Sequence, residues 1–220
     1  AFSTEAAAAA RAADRVLLCV KPKELPGLLD HLRSSNALDH RPLVVSIAAG
    51  IPTATIEAAL PEGQAVVRVM PNTPALVDQG MAAVSPGRSV SEAQLREAMD
   101  LLAATGRVAE VPEKLQDAVT AISGSGPAYI FYVVEAMIEA GVVLGMPRVT
   151  ATELVVQTLF GAATMIKETG QHPTVLREQV TSPGGTTAAA LRTLDDHKVR
   201  AAFITAMEAA AKRSAQLSAG

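Results

Sequence analysis

The chain has no tryptophan, and its other aromatics stop at two tyrosines and four phenylalanines in 220 residues. Little is therefore available to stack on bases, and the lysines and arginines form no cluster that would serve as a footprint for nucleic acid. A net charge of -3 argues the same way, so no nucleic-acid partner is expected. The one cysteine, Cys19, excludes an internal disulfide framework, and four scattered histidines without cysteine partners build no zinc site, so no metal is expected. A reducing, cytoplasmic setting fits that usage. Hydrophobic residues make up 49% of the chain, but alanine inflates the figure and no run of about 18 uninterrupted apolar residues occurs; a soluble protein with no membrane association is expected. The stretch Ala1 to Ala10 lacks a basic head and a leucine-rich centre and so does not read as a secretory signal. It reads as the end of an alanine-rich helix.

What is present is an alternation. After helix-favouring residues from Ala6 to Ala13, the run Arg15 to Val20 has the length of a buried parallel strand, and a helical pattern through Leu25, Leu28, Leu29 and Leu32 follows it. Strand patterns at Leu43 to Ile47, Ala65 to Val69, Met81 to Val84 and Arg107 to Val111 alternate with helical ones at Thr53 to Leu60 and Ser91 to Ala104. Such alternation predicts an α/β domain with a mostly parallel sheet over residues 1–112. In sheets of that kind ligands bind beyond the carboxyl ends of the strands. Three strands here end in small or rigid residues: Cys19, Val20, Lys21 and Pro22; Ala48, Ala49 and Gly50; Met70, Pro71 and Asn72. A flat, extended ligand could lie against that backbone, with Lys21 and Asn72 adding polar contacts.

No strand is followed by a G-x-G-x-x-G turn and a ribose-selecting charge. The one glycine-spaced candidate, Ser123 to Pro127, follows a helix. A nicotinamide cofactor, if bound, would meet only its nicotinamide end on these residues.

From Pro112 the pattern becomes helical, predicting a second domain at 113–220. A helix is expected from Glu113 through Leu115, Ala118, Val119 and Ile122 to Ser123. The next, begun by Gly126 and Pro127 and running to about Leu144, is apolar nearly all round, with only Glu135 and Glu139 charged. It must be buried nearly all round, and a second subunit is expected to help cover it. Gly145 and Pro147 end it. The helix from Thr150 to Thr169 places Leu154, Val155, Leu159, Ala162, Met165 and Ile166 on one face, and Gly161 to Ala163 would let a neighbour approach closely. A short helix from Pro173 to Val180 delivers the chain to Ser182, Pro183, Gly184, Gly185, Thr186 and Thr187, which precede another helix. Bare backbone at the two glycines, threonine hydroxyls and unpaired first-turn N–H groups make a socket for a carboxylate or phosphate; a plain cap by Ser182 or a threonine is the structural alternative. A last helix carries Phe203, Met207 and Ala210.

These motifs in this order resemble the pyrroline-5-carboxylate reductase family: Val-Lys-Pro at Val20 to Pro22, Ser-Ile-Ala-Ala-Gly at Ser46 to Gly50, Arg-Val-Met-Pro-Asn-Thr-Pro at Arg68 to Pro74, Ser-Gly-Ser-Gly-Pro-Ala-Tyr at Ser123 to Tyr129, and Ser-Pro-Gly-Gly-Thr-Thr at Ser182 to Thr187. The resemblance spans essentially the whole chain. It implies a Rossmann-type domain at 1–112, whose first strand and glycine fingerprint would stand ahead of Ala1, and a helical dimerisation and substrate-binding domain at 113–220. The implied reaction is reduction of 1-pyrroline-5-carboxylate to L-proline by NADPH or NADH, the preference being open, in a cytoplasmic homo-oligomer. Substrate would meet Ser182, Gly184, Gly185, Thr186, Thr187 and Ser125, with the carboxylate on the N–H groups of Gly185, Thr186 and Thr187 and the Thr187 hydroxyl on the imine nitrogen. In the family the active site lies between the Rossmann half of one subunit and helices of the dimer, which makes Ser125 and Gly126 its wall. Two other readings stay open on the residues alone: a β-hydroxyacid-dehydrogenase-like enzyme, and a non-catalytic helical assembly module.

Overall fold

A computed structural model describes residues 4–218, so the first three residues of the alanine-rich opening lie outside the described part. The chain forms two compact units, one made of Ala1–Pro127 with Met207–Gly220 and the other of Ala128–Ala206.

In the first unit, α1 (Ala6–Arg11) leads into a five-stranded sheet whose strands lie side by side in chain order: β1 (Arg15–Leu18), β2 (Leu43–Ser46), β3 (Val66–Met70), β4 (Gly80–Pro86) and β5 (Gly106–Glu110). The helices α2 (Leu25–Ser34) and α3 (Thr53–Ala59) cross from β1 to β2 and from β2 to β3, and both pairings are parallel. The link from β3 to β4, residues 71–79, is shorter than the dozen or so residues a parallel crossover needs, and β4 accordingly runs antiparallel. Helix α4 (Glu92–Ala103), opened by a capping box between Ser91 and Gln94, restores the parallel sense for β5.

Leu43, Val44, Val45 and Ser46 are all buried, as expected of a strand covered on both faces. Val44 and Val66 pack with Leu25, Leu29, Leu32 and Ile56 on one face; Val45, Val67, Val69 and Val84 pack with Ala98 on the other. Each buried valine or leucine is worth roughly 1.5–3 kcal/mol relative to exposure.

One buried position breaks the apolar pattern. Arg68, in the middle of β3 and 6% exposed, lies in register between Ser46 of β2 and Ser85 of β4. Its guanidinium meets the Glu113 carboxylate at 3.4 Å. That carboxylate also accepts the Thr53 backbone N–H at 2.7 Å and the Thr53 hydroxyl at 2.6 Å. The first turn of α3 lacks a side-chain cap of its own, so Glu113 caps it from a distant part of the sequence. Beside it the buried Gln116 donates to Ser85 Oγ at 2.8 Å, and Ser85 donates to the Val111 carbonyl.

Glu113–Leu115 is a 3₁₀ turn, followed by α5 (Gln116–Val119) and a π-helical turn at Thr120–Gly124; the single helix expected from Glu113 to Ser123 is thus three pieces with different hydrogen-bond spacing. Then come α6 (Gly126–Val143), α7 (Arg148–Thr169), α8 (Pro173–Gln179), α9 (Thr186–Asp196) and α10 (Val199–Ser218). The close helix approach falls at Gly141, where an added Cβ would lie 2.8 Å from that of Ala151. Gly161, the expected place, meets no neighbour in the chain. The apolar helices are open: Phe131 and Phe160 are each 66% exposed and Val143 is 87% exposed. By length and composition the helical stretches Glu113–Val143 and Arg148–Thr169 could also cross a bilayer, an observation the sequence reading did not anticipate. The end of α10 is held to the first unit by the Ser214 hydroxyl, which donates to Asp117 at 2.7 Å.

Replacing Glu113 with alanine is expected to lower unfolding free energy by about 3 kcal/mol, because it strands a buried guanidinium and uncaps α3. Removing the exposed Arg96 partner of Glu92 should change it by less than about 0.5 kcal/mol. Urea denaturation of both variants checks the contrast; equal effects would contradict the structural weight given to Glu113.

Candidate functional site

Because β1, β2 and β3 run parallel, their carboxyl ends reach one edge of the sheet. That edge brings Cys19, Val20, Lys21 and Pro22 beside Ala48, Ala49 and Gly50, and these beside Met70, Pro71 and Asn72. Cys19, Lys21, Pro22 and Ala49 are exposed, while Val20, Met70, Pro71 and Asn72 are partly buried. Gly50 turns the chain with φ 78°. Two of the expected ligand contacts are otherwise engaged. Ala48 is 3% exposed with its methyl group in the core, and its N–H donates to Ser46 Oγ. Asn72 Oδ1 accepts the Met81 N–H at 2.8 Å, and its Nδ2 donates to the Ser123 carbonyl at 3.2 Å and to Ser123 Oγ at 3.3 Å. The amide NH₂ that the sequence offered to a cofactor is committed inside the protein. Gly50 is buried as well, so Cys19, Lys21, Pro22 and Ala49 form the exposed part of this edge.

The π turn rests on the same edge. Ser125 N–H donates to the Thr120 carbonyl at 2.8 Å, the five-residue spacing of a π-helix, and Gly124 sits where an added Cβ would overlap Met70 Cε. Ser125 and Gly126 are partly buried at the start of α6. No motif rule marks this turn. Its signal was the glycine pair at Gly124 and Gly126 followed by Pro127.

In the second unit the segment from Ser182 to Thr187 opens α9. Gly184 has φ 68°, a left-handed conformation that favours glycine, and Gly185 is the N-cap. Among the described residues no side chain caps α9, so the plain cap by Ser182 or a threonine is not what the segment does. The socket is displaced by one residue from the expected place, because Gly185 N–H donates to the Ser182 carbonyl at 3.0 Å. The first helical bond is from Ala189 N–H to the Gly185 carbonyl, which leaves the N–H groups of Thr186, Thr187 and Ala188 without intrahelical partners. Ser182, Gly184 and Thr186 are exposed; Gly185 and Thr187 are partly buried. Three convergent N–H groups at the positive end of a helix can bind one carboxylate, and the Thr187 hydroxyl stands beside them. Among the described residues no group of three or more metal-ligating side chains occurs.

Comparison with known proteins bears on both ends of the chain. Residues 113–217 match the family model for pyrroline-5-carboxylate reductase dimerisation, and residues 1–50 match that for NADP oxidoreductase, coenzyme F420-dependent. The chain is 51% identical over 217 residues to a pyrroline-5-carboxylate reductase of Corynebacterium melassecola, covering 97% of this chain and 80% of that protein. Its fold superposes on a pyrroline-5-carboxylate reductase of Coxiella burnetii with a TM-score of 0.92 at 39% identity, covering 98% of this chain and 80% of that one. A Plasmodium falciparum pyrroline carboxylate reductase, solved with NADP bound, gives 0.91 at 31% identity, with 99% and 82% covered.

Although Cys19 is exposed as a residue, partial desolvation of its thiol pushes it above its ordinary value. Since the thiolate is the nucleophile, a raised value leaves less of it at neutral pH. Alkylation of Cys19 by iodoacetamide at pH 7.5 is therefore expected to be slower in the folded protein than in denaturant, with its pH midpoint displaced upward. A folded-state midpoint at or below that of the unfolded chain would contradict this environment.

Proposed function

The chain belongs to the pyrroline-5-carboxylate reductase family, and from that premise we propose which of its residues hold substrate and which hold cofactor. The reaction is reduction of 1-pyrroline-5-carboxylate to L-proline with NAD(P)H, the last step of proline biosynthesis. The β-hydroxyacid-dehydrogenase and assembly-module readings give way to it, since named reductases match nearly all of the chain. One structural observation carries the assignment of roles: the uncapped start of α9, which offers free backbone donors beside a threonine hydroxyl.

In this reading the substrate carboxylate accepts the N–H groups of Thr186, Thr187 and Ala188, with Ser182, Gly184 and Gly185 shaping the turn around it. The ring nitrogen, protonated, donates to the Thr187 hydroxyl. Protonation makes the C=N carbon the better acceptor, and the nitrogen keeps its proton as the double bond becomes single. Ser125 is a further substrate contact. Cys19, Val20, Lys21, Pro22, Ala49, Gly50, Met70 and Pro71 form the cofactor surface, to which Ala48 contributes shape. When bound there, a reduced nicotinamide supplies the hydride. The protein's share is to hold the ring flat and oriented and to keep the proton on nitrogen, so rate comes from positioning and needs no strong base.

Residues 1–112 serve as the nicotinamide-binding domain and 113–220 as the dimerisation and substrate domain. The open apolar faces of α6 and α7 are covered by a second copy of the chain, a homodimer or a larger assembly, and not by a bilayer. That agrees with the dimerisation match over residues 113–217. With no basic cluster and one partly desolvated thiol, the protein works as a soluble cytoplasmic enzyme without nucleic acid.

Thr187→Ala should lower kcat by roughly tenfold to a hundredfold with an unchanged circular dichroism spectrum, the scale of one hydrogen bond to a charged group. Unaltered steady-state constants would remove Thr187 from the mechanism. Sedimentation at micromolar concentration should give a dimer or larger species, and Phe160→Glu should shift it toward monomer; a stable wild-type monomer would sink the assembly assignment.

A further inference from the structure

We propose that Asn72 is a positioning residue for substrate binding: its amide latches the Thr120–Gly124 turn to the tip of β3 and thereby sets where Ser125 stands. The proposal rests on the reading of Ser125 as a substrate contact. Its origin is a vacancy in the hydrogen-bond pattern of the main chain. In a continuous helix the Ser123 carbonyl would accept the N–H of residue 127, but that residue is Pro127 and has none. Deprived of that α-helical donor, the carbonyl takes one from the sheet edge: Asn72 Nδ2 donates to it at 3.2 Å while also reaching Ser123 Oγ at 3.3 Å.

The other end of the same amide is fixed too. The β3–β4 register runs as far as Met70 opposite Ala83; beyond it Asn72 Oδ1 accepts the Met81 N–H at 2.8 Å, adding a rung through a side chain. Acceptor and donor are thus both held, and the amide cannot rotate to serve a ligand without breaking a contact. Two residues earlier Met70 lies directly under Gly124, so the turn is seated from below and tied from the side. The shift to π spacing displaces the backbone at Ser125 from its α-helical place, and turns of this kind cluster at functional sites. Few side chains can replace the latch. Aspartate keeps the acceptor for Met81 but loses the donor, and glutamine carries the amide one methylene too far.

The test is kinetic and uses the full-length enzyme carrying Asn72→Asp, which leaves the β4 contact possible and removes the donation to the Ser123 carbonyl. The expected result is a rise of about tenfold in KM for pyrroline-5-carboxylate, the scale of one such bond, with kcat within about threefold and the NADPH dissociation constant within about twofold. Amide exchange at Ser125 should quicken in parallel. A comparable weakening of NADPH binding, alone or beside the change in KM, would make Asn72 a cofactor contact and overturn the proposal. So would unchanged constants with only a lower melting temperature. Should Asn72→Asp fail to fold, Ser123→Ala removes one acceptor and no backbone bond; a rise of about threefold in the same KM supports the latch and no rise overturns it. Ser125→Ala separates the two readings. If it raises KM and Asn72→Asp does not, the latch fails; if only Asn72→Asp raises KM, the side-chain role of Ser125 fails and the latch stands on the backbone of the turn.

Discussion

A buried arginine in the middle strand is the constraint on which the first unit depends. Arg68 sits among β-branched neighbours where an unpaired guanidinium would cost several kcal/mol, so the strand is tolerable only while Glu113 is there. Glu113 is the residue at which the chain leaves the sheet, and its carboxylate is shared with the backbone and hydroxyl of Thr53. Three stretches far apart in sequence are therefore tied at one point. The tie fixes where the chain goes next: Gln116 is drawn under β4, Thr120–Gly124 onto the end of β3, and Ser123 within reach of Asn72. An apolar residue at 68 would pack well enough, but it would leave the exit of the chain unspecified. Specifying that exit is what the charge contributes here, as a buried polar residue can specify register in other folds.

The two units treat apolar surface in opposite ways. In the sheet, valines, leucines and alanines are driven below a few per cent exposure by helices that the crossovers bring back over both faces. In α6 and α7 the same residue types stay open, and only Gly141, Ala151 and Val155 are buried along the two helices. Two helices of about twenty residues cannot bury two all-round apolar surfaces against each other, because each contact covers one stripe and leaves the rest. The remainder demands a further surface of the same character, and an identical copy is self-complementary by symmetry.

Much of this was legible in the residues. Short apolar runs marked the strands, and all five were placed within a residue or two, although β1 and β5 are less buried than β2 and β3. The direction of β4 was legible in principle, since residues 71–79 are too few for a crossover, but periodicity speaks only of faces and says nothing of direction. Subdivision of the stretch from Glu113 to Gly124 was beyond pattern reading: its apolar spacing is helical throughout, while the π turn packs against Met70 and Asn72, contacts made across about fifty residues. Among site residues, Ala49, Lys21 and the Gly184 turn stand at the surface where sequence put them, while Gly50 is buried. Ala48 and Asn72 do not stay free, for one physical reason: a small or polar residue at a strand end can face inward as readily as outward, and composition does not distinguish the two.

The start of α9 carries a local cost that the proposed substrate role explains. A serine or aspartate at the N-cap would stabilise the helix by about 1 kcal/mol over an uncapped start, and glycine gives up part of that. A capping oxygen, however, would occupy the N–H groups of the first turn and place a competing acceptor where a carboxylate must sit. Gly185 removes the competitor, Gly184 provides the left-handed turn ahead of the helix, and the N–H of Gly185 closes that turn on the Ser182 carbonyl. The N–H groups left over are uncharged, so they favour one negative charge without also holding a second tightly. Because the product carries the same carboxylate as the substrate, a cationic clamp would bind both strongly and slow release. In the proposed reading a neutral socket binds the acid group about equally before and after hydride transfer, which leaves discrimination between the two to the nitrogen and so to the hydroxyl of Thr187.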